Sequence, residues 1–95
     1  MGQFAVADRE NMSAEVTLYT TRYCPYCVRA RQLFSAKGVV FREIAVDDQP
    51  ERRREMTERS GQRTVPQIWI GDRHIGGCDE LYDLERRGQL DALLA

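Results

Sequence analysis

The 95-residue chain has no long apolar run. Nothing in it approaches the ~18 consecutive apolar residues of a membrane-spanning helix, so no membrane span is expected. It has no surplus of either charge, since 14 basic residues against 15 acidic ones leave a net charge of −1. That excludes the clustered basic excess of a nucleic-acid-binding chain. The basic run Arg52–Arg54 is bracketed by Glu51 and Glu55 and reads as a solvated helix face. Cysteines number three, an odd count and too few for a disulfide scaffold. The opening residues lack the charged and then apolar regions of an export signal. They also have Val6 where a myristoylation signal needs Ser or Thr. The expected compartment is therefore the reducing cytoplasm, where a close cysteine pair serves catalysis or metal binding more often than structure. Repeats and low-complexity stretches are absent too. At this length one domain is expected, with a modest core that buries about 60–65% of the unfolded surface.

What is present is a clear alternation of elements. Residues 1–14 show no period and read as a flexible N-terminal tail, or as an added leader before a native start near Met12. The domain is assigned to residues 15–95. Glu15–Thr20 is β-branched and aromatic, and predicts a strand. After Cys24, Pro25 suits the first turn of a helix, where its missing N–H costs nothing. Cys27, Ala30, Leu33 and Phe34 share one face of that helix, and Gly38 closes it. Val39–Asp47 predicts a second strand. Strand, helix and strand in about 30 residues make a βαβ unit with parallel strands. Asp47–Gly61 predicts a helix with Met56 as nearly its only apolar residue, supported by charge pairs such as Glu55 with Arg59. Thr64–Ile70 predicts a third strand, Gly71-Asp72 a two-residue turn, and Arg73–Gly77 a return strand. Cys78–Gly88 reads as a helix with Leu81 and Leu84 inward, followed by a last helical turn or two in Leu90–Ala95. The order β-α-β-α-β-β-α predicts an α/β, thioredoxin-like fold: a four-stranded mixed sheet flanked by helices.

The stretch Cys24-Pro25-Tyr26-Cys27 stands where the first helix begins. A thiolate, not a thiol, attacks a disulfide. Helix N-termini lower a cysteine pKa from about 8.5 toward the range ~3.5–7.5. Cys24 at the N-cap faces unpaired N–H groups and the positive end of the helix dipole. One turn on, Cys27 approaches it closely enough to bond. Cys24 is thus expected to be the exposed nucleophile and Cys27 the buried resolving thiol, with Pro25 stiffening the turn between them. The competing assignment is a zinc clip completed by His74 and Cys78. Zinc ribbons usually carry two matched short-spaced pairs, whereas here a single pair runs straight into an amphipathic helix, so no metal ligand is assigned. Taken alone, His74 reads as a strand residue. Cys78 reads as a small residue under a helix start, or as a third reactive thiol.

Cys24-Pro25-Tyr26-Cys27, then Thr64-Val65-Pro66, then Gly76-Gly77-Cys78-Asp79, in that order and spacing, resemble the glutaredoxins. The likeness is to the small bacterial dithiol type often called glutaredoxin 3, and it covers about residues 15–95. It implies a glutathione-dependent thiol–disulfide oxidoreductase, with glutathione as co-substrate and no tightly bound cofactor. It further implies that Val65, before a cis Pro66, pairs through its backbone with glutathione. The segment Gly77, Cys78 and Asp79 would take the γ-glutamyl group, Arg63 beside Thr64 the glycyl carboxylate, and Tyr26 one wall of the groove. Oxidised or glutathionylated proteins, ribonucleotide reductase among them, are the implied partners of a monomer. Many relatives carry lysine three residues before the first cysteine. Thr21 stands there, so either Arg22 takes over that lysine's role or the thiolate is less stabilised. The resemblance also admits an iron–sulfur carrier of the [2Fe-2S] kind, although such carriers typically lack the Pro-Tyr pair. A donor reduced by thioredoxin reductase is the remaining alternative, and Arg63, Thr64 and Asp79 weigh against it.

Overall fold

The computed structural model describes residues 14–95. The assignment of a tail therefore lies outside the described residues except at Ala14, whose N–H donates to the Leu94 carbonyl at 2.9 Å. The elements are β1 (Val16–Thr20), α1 (Pro25–Ala36), β2 (Phe41–Ala45), α2 (Pro50–Ser60), β3 (Gln67–Ile70), β4 (Arg73–Gly76), α3 (Cys78–Arg86) and α4 (Leu90–Leu94). The strands lie in the order β2-β1-β3-β4. β1 runs parallel to β2, with Val16 opposite Phe41, and antiparallel to β3, with Leu18 opposite Ile68. β3 and β4 form the expected hairpin across Gly71-Asp72, with a register irregularity between Ile68 and Trp69. This is the mixed, helix-flanked sheet that the element order predicts.

Side-chain alternation along the strands divides the core between two faces. Val16, Leu18, Ile68 and Ile70 point to one side, where Ala30 and Phe34 of α1, Leu81 of α3 and Leu90 and Leu94 of α4 cover them. Tyr19 and Trp69 point to the other, where Val46 and Met56 meet them. The nearly all-polar helix α2 thus contributes its one apolar side chain, Met56, fully buried.

The structure departs from the sequence-based expectations, for physical causes, at two boundaries and one ion pair. β3 starts at Gln67 rather than Thr64, because Thr64–Pro66 form a loop ahead of it with a cis Val65–Pro66 bond. α2 begins at Pro50, after Asp48 adopts a left-handed conformation at φ 61°. The expected Glu55–Arg59 pair gives way to a three-part contact through a buried phenol. Tyr19 donates its hydroxyl proton to Glu55 and accepts a hydrogen bond from Arg59 at 2.9 Å. Arg59 also stacks over the Trp69 ring, 4.4 Å from its centroid.

Candidate active site

The chain leaves β1 through Thr21-Arg22-Tyr23 and enters α1 at Pro25, which places Cys24 at the N-cap. Its Sγ accepts the Cys27 N–H at 3.1 Å, so one of the helix's unpaired donors points at the sulfur. Cys24 and Cys27 are joined as a disulfide, with Cα atoms 5.1 Å apart. Cys24 is less open than the sequence suggests: it is 8% exposed against 0% for Cys27. The carbonyl oxygen of Val65 lies 3.8 Å from Cys24 Sγ and helps to cover it. The order of exposure holds, and the open neighbours are Tyr23 at 93% and Tyr26 at 54%.

Arg22 is engaged by the acidic loop after β2. Its guanidinium bonds Asp47 and Asp48 at 2.9 Å each, across the β2–α2 loop. The Arg22 backbone N–H also donates to Asp47, and that bond, ahead of the guanidinium, holds the Asp47 carboxyl below the usual carboxylate range. The charge that could have replaced a lysine at Thr21 is thus already paired.

Next to Cys24 opens a cleft of about 230 Å³. Tyr26, Thr64, Val65, Pro66, Gly77, Cys78 and Asp79 line it, joined by Gln62 and Glu80. Seven of the residues singled out in the sequence therefore come together around one space. Cys24, Pro25 and Cys27 lie beside the lining rather than in it, and of the residues expected to hold glutathione Arg63 is the exception: it is exposed and absent from the lining, and its carbonyl accepts from Arg53 at 3.4 Å. Two glycines leave room at the start of α3, Gly76 for the Glu80 side chain and Gly77 for the Pro66 loop. A Cβ at Gly76, where φ is 114°, would lie 3.0 Å from Glu80, and one at Gly77 would lie 3.3 Å from the Pro66 carbonyl.

Glu80 accepts the Gly77 N–H at 2.7 Å. A glutamate three residues after an N-cap is a capping signal visible in the sequence. Gln62 carried no signal. The N–H groups of Cys78 and Asp79, at the first two positions of α3, have no partner within the helix. Cys78 is 4% exposed, and burial pushes its thiol up; the Arg29 charge opposes this, while Asp79 and Glu80 add to the rise. That argues against a third reactive thiol. His74 is apart from the cysteines in function: its Nε2 contacts Gln67 Oε1 at 2.7 Å. Among the described residues no group of three or more His, Cys, Asp or Glu side chains is placed to hold a metal ion.

Residues 16–75 match the glutaredoxin family model. A glutaredoxin of Pseudomonas aeruginosa is 60% identical over 80 residues, which is 84% of this chain and 95% of that protein. Glutaredoxin 3 of Escherichia coli K12 is 56% identical over 81 residues, 85% of this chain and 98% of that one. Among solved structures, a buckwheat glutaredoxin–glutathione complex superposes with a TM-score of 0.79 at 30% identity, covering 94% of this chain and 84% of that chain. With both bacterial relatives matched over almost their whole length, the chain belongs to the glutaredoxin family and is a glutathione-dependent thiol–disulfide oxidoreductase.

Proposed function

We propose that Cys24 is the sulfur that carries the glutathionyl group, Cys27 the thiol that resolves it, and the adjoining cleft the glutathione site. The observation that carries this assignment is the placement of Cys24 Sγ. It accepts a helix N-terminal N–H at 3.1 Å and lies 3.8 Å from the carbonyl of Val65, which itself lines the cleft. In the reduced protein the same N–H favours the thiolate. That thiolate attacks the glutathione sulfur of a mixed disulfide, and the substrate thiolate leaves and takes up a proton. A second glutathione thiolate then attacks the glutathionyl sulfur on Cys24. Oxidised glutathione departs, and Cys24 recovers its electron pair. With a protein disulfide, Cys24 forms the mixed disulfide and Cys27 displaces the partner. The Cys24–Cys27 bond is left for two glutathiones to reduce.

The tripeptide is read by backbone and charge. Val65, leading into Pro66, offers its main chain to the cysteinyl part, in the manner of an added strand. The unpaired N–H groups at the start of α3 hold the γ-glutamyl carboxylate, and Asp79 meets its ammonium. Tyr26 forms the opposite wall, the exposed Thr64 lines the cleft beside Val65, and Arg63 supplies a cation at the rim for the glycyl carboxylate. Tyr23 and Tyr26, open beside Cys24, face the polypeptide part of a protein substrate. The protein is assigned to the cytoplasm as a monomer, with oxidised or glutathionylated proteins as partners and ribonucleotide reductase as a family-level candidate.

The direct test is turnover of a glutathionylated small-molecule disulfide with glutathione, glutathione reductase and NADPH. Steady NADPH oxidation that disappears in Cys24→Ser is expected. Equal rates for the two proteins would remove Cys24 from the chemistry.

A further inference from the structure

Gln67 is fully buried at 0% exposure, the larger of the two buried polar side chains among the described residues. A buried carboxamide is costly unless its donors and acceptor are all used. Here they are used directionally. Nε2 donates to Oε1 of Gln62 at 3.0 Å and to the Thr64 carbonyl at 3.0 Å, and lies 3.1 Å from Thr64 Oγ1. A carbonyl can only accept, so the end facing Thr64 must be the NH₂ group. The amide oxygen therefore faces His74, whose Nε2 lies 2.7 Å away and must carry the proton. His74 is in turn fixed by its place opposite Trp69 in β4 and by stacking on that indole, with centroids 4.7 Å apart.

The loop held by this amide belongs to neither neighbour. It lies between the end of α2 at Ser60 and the start of β3 at Gln67, and Gln62, Thr64, Val65 and Pro66 are its contribution to the cleft. Its other anchors sit on the α2 side. Ser60 exchanges hydrogen bonds with the Gln62 backbone at 2.9 and 3.0 Å, and Arg53 reaches the Arg63 carbonyl at 3.4 Å. From the sheet side, Gln67 is the side chain that ties it.

We propose that Gln67 is a positioning residue: backed by His74, it holds the Gln62–Thr64 wall in the shape that receives glutathione. This rests on the assignment of the cleft as the glutathione site. Without the amide the wall samples other conformations, and apparent affinity falls with the fraction that remains competent. Cys24 is activated from the start of α1, so its reactivity does not depend on Gln67.

The test compares wild type with Gln67→Met, which keeps length and removes both polar ends. KM for a glutathionylated substrate should rise about tenfold, the scale of one or two net hydrogen bonds, with kcat changed less than about twofold. Iodoacetamide should alkylate Cys24 at the wild-type rate. A folded variant with wild-type KM overturns the proposal, as does a parallel loss of alkylation rate, which would mark Gln67 as a general structural residue. Should the variant not fold, nitrogen NMR of the wild type decides. A proton on Nε2 of His74, and slowly exchanging Gln67 amide protons that shift when S-methylglutathione binds, are expected. A proton on Nδ1, or a freely exchanging amide, overturns the proposal. Failure of wild type itself to bind S-methylglutathione removes the cleft assignment, and this inference with it.

Discussion

Three cysteines of one chemistry receive three different environments. Cys24 takes a helix N-terminal N–H, Cys27 is wholly enclosed, and Cys78 is buried at the cleft wall with acidic neighbours. In Cys27→Ser, glutathionyl transfer should persist within a few-fold while reduction of protein disulfides falls below detection. Assays on a glutathionylated peptide and on a disulfide-bonded protein separate the two. Loss of both together would mean that Cys27 does more than resolve. The raised thiol of Cys78 fixes its pH behaviour as well. Its protonated, poorly nucleophilic form persists above the ordinary thiol value of about 8.5. Mass spectrometry of reduced protein during alkylation at pH 7 should therefore find Cys24 modified first, with Cys78 reacting only as the solution becomes alkaline. Burial at Cys78 was not readable from Gly76-Gly77-Cys78, because a helix start alone suits a reactive thiol and a packed one equally. The direction of Arg22 was equally hidden, since Asp47 and Asp48 lie some 25 residues away and meet it only through the parallel strands.

At the scale of elements, the end of α1 is joined to the two closing helices by one side chain. Lys37, its C-cap, contacts Glu85 of α3 at 2.8 Å and Asp91 of α4 at 2.7 Å. The hydrogen bond to Asp91, then that to Glu85, raise its pKa. A cation with a raised folded pKa contributes its full stability below the unfolded value of about 10.4 and loses it as pH rises through the folded value. Lys37→Met should therefore cost about 0.5–1 kcal/mol at pH 7, and the gap between the two proteins' melting curves should narrow only as pH rises above about 10.4. A gap independent of pH would point to packing of the lysine stem instead. Most elements were legible because their patterns are local: Pro25 opens α1, and Gly71-Asp72 turns β3 into β4. The boundaries of β3 were less so. Thr64-Val65-Pro66 has strand composition, but those residues serve the cleft before the ladder begins at Gln67.

For the whole molecule, one sheet separates two cores of unequal size. The larger centres on Phe34, which is fully buried among residues of β1, β3, α3 and α4. Phe34→Ala should cost about 3–5 kcal/mol. A small domain has only about 5–15 kcal/mol in total, so chemical denaturation should show a large drop in midpoint. A loss under 1 kcal/mol would mean that the α1 face is not the principal core. The smaller core was only half visible in the sequence. Met56 marked α2, yet the contact of Tyr19 with Glu55 and Arg59 joins residues 36 and 40 positions apart, a distance that no local pattern spans. The cleft was legible for the same reason in reverse: its three short motifs are each local, and the strand order brings their ends together.

The most direct measurement joins glutathione to Cys24 in Cys27→Ser and follows the adduct by NMR. Contacts from the cysteinyl part to the Val65 backbone, and from the γ-glutamyl part to Gly77–Asp79, are expected. A tripeptide tethered through sulfur but moving freely, without contacts to either segment, would contradict the assignment of the cleft.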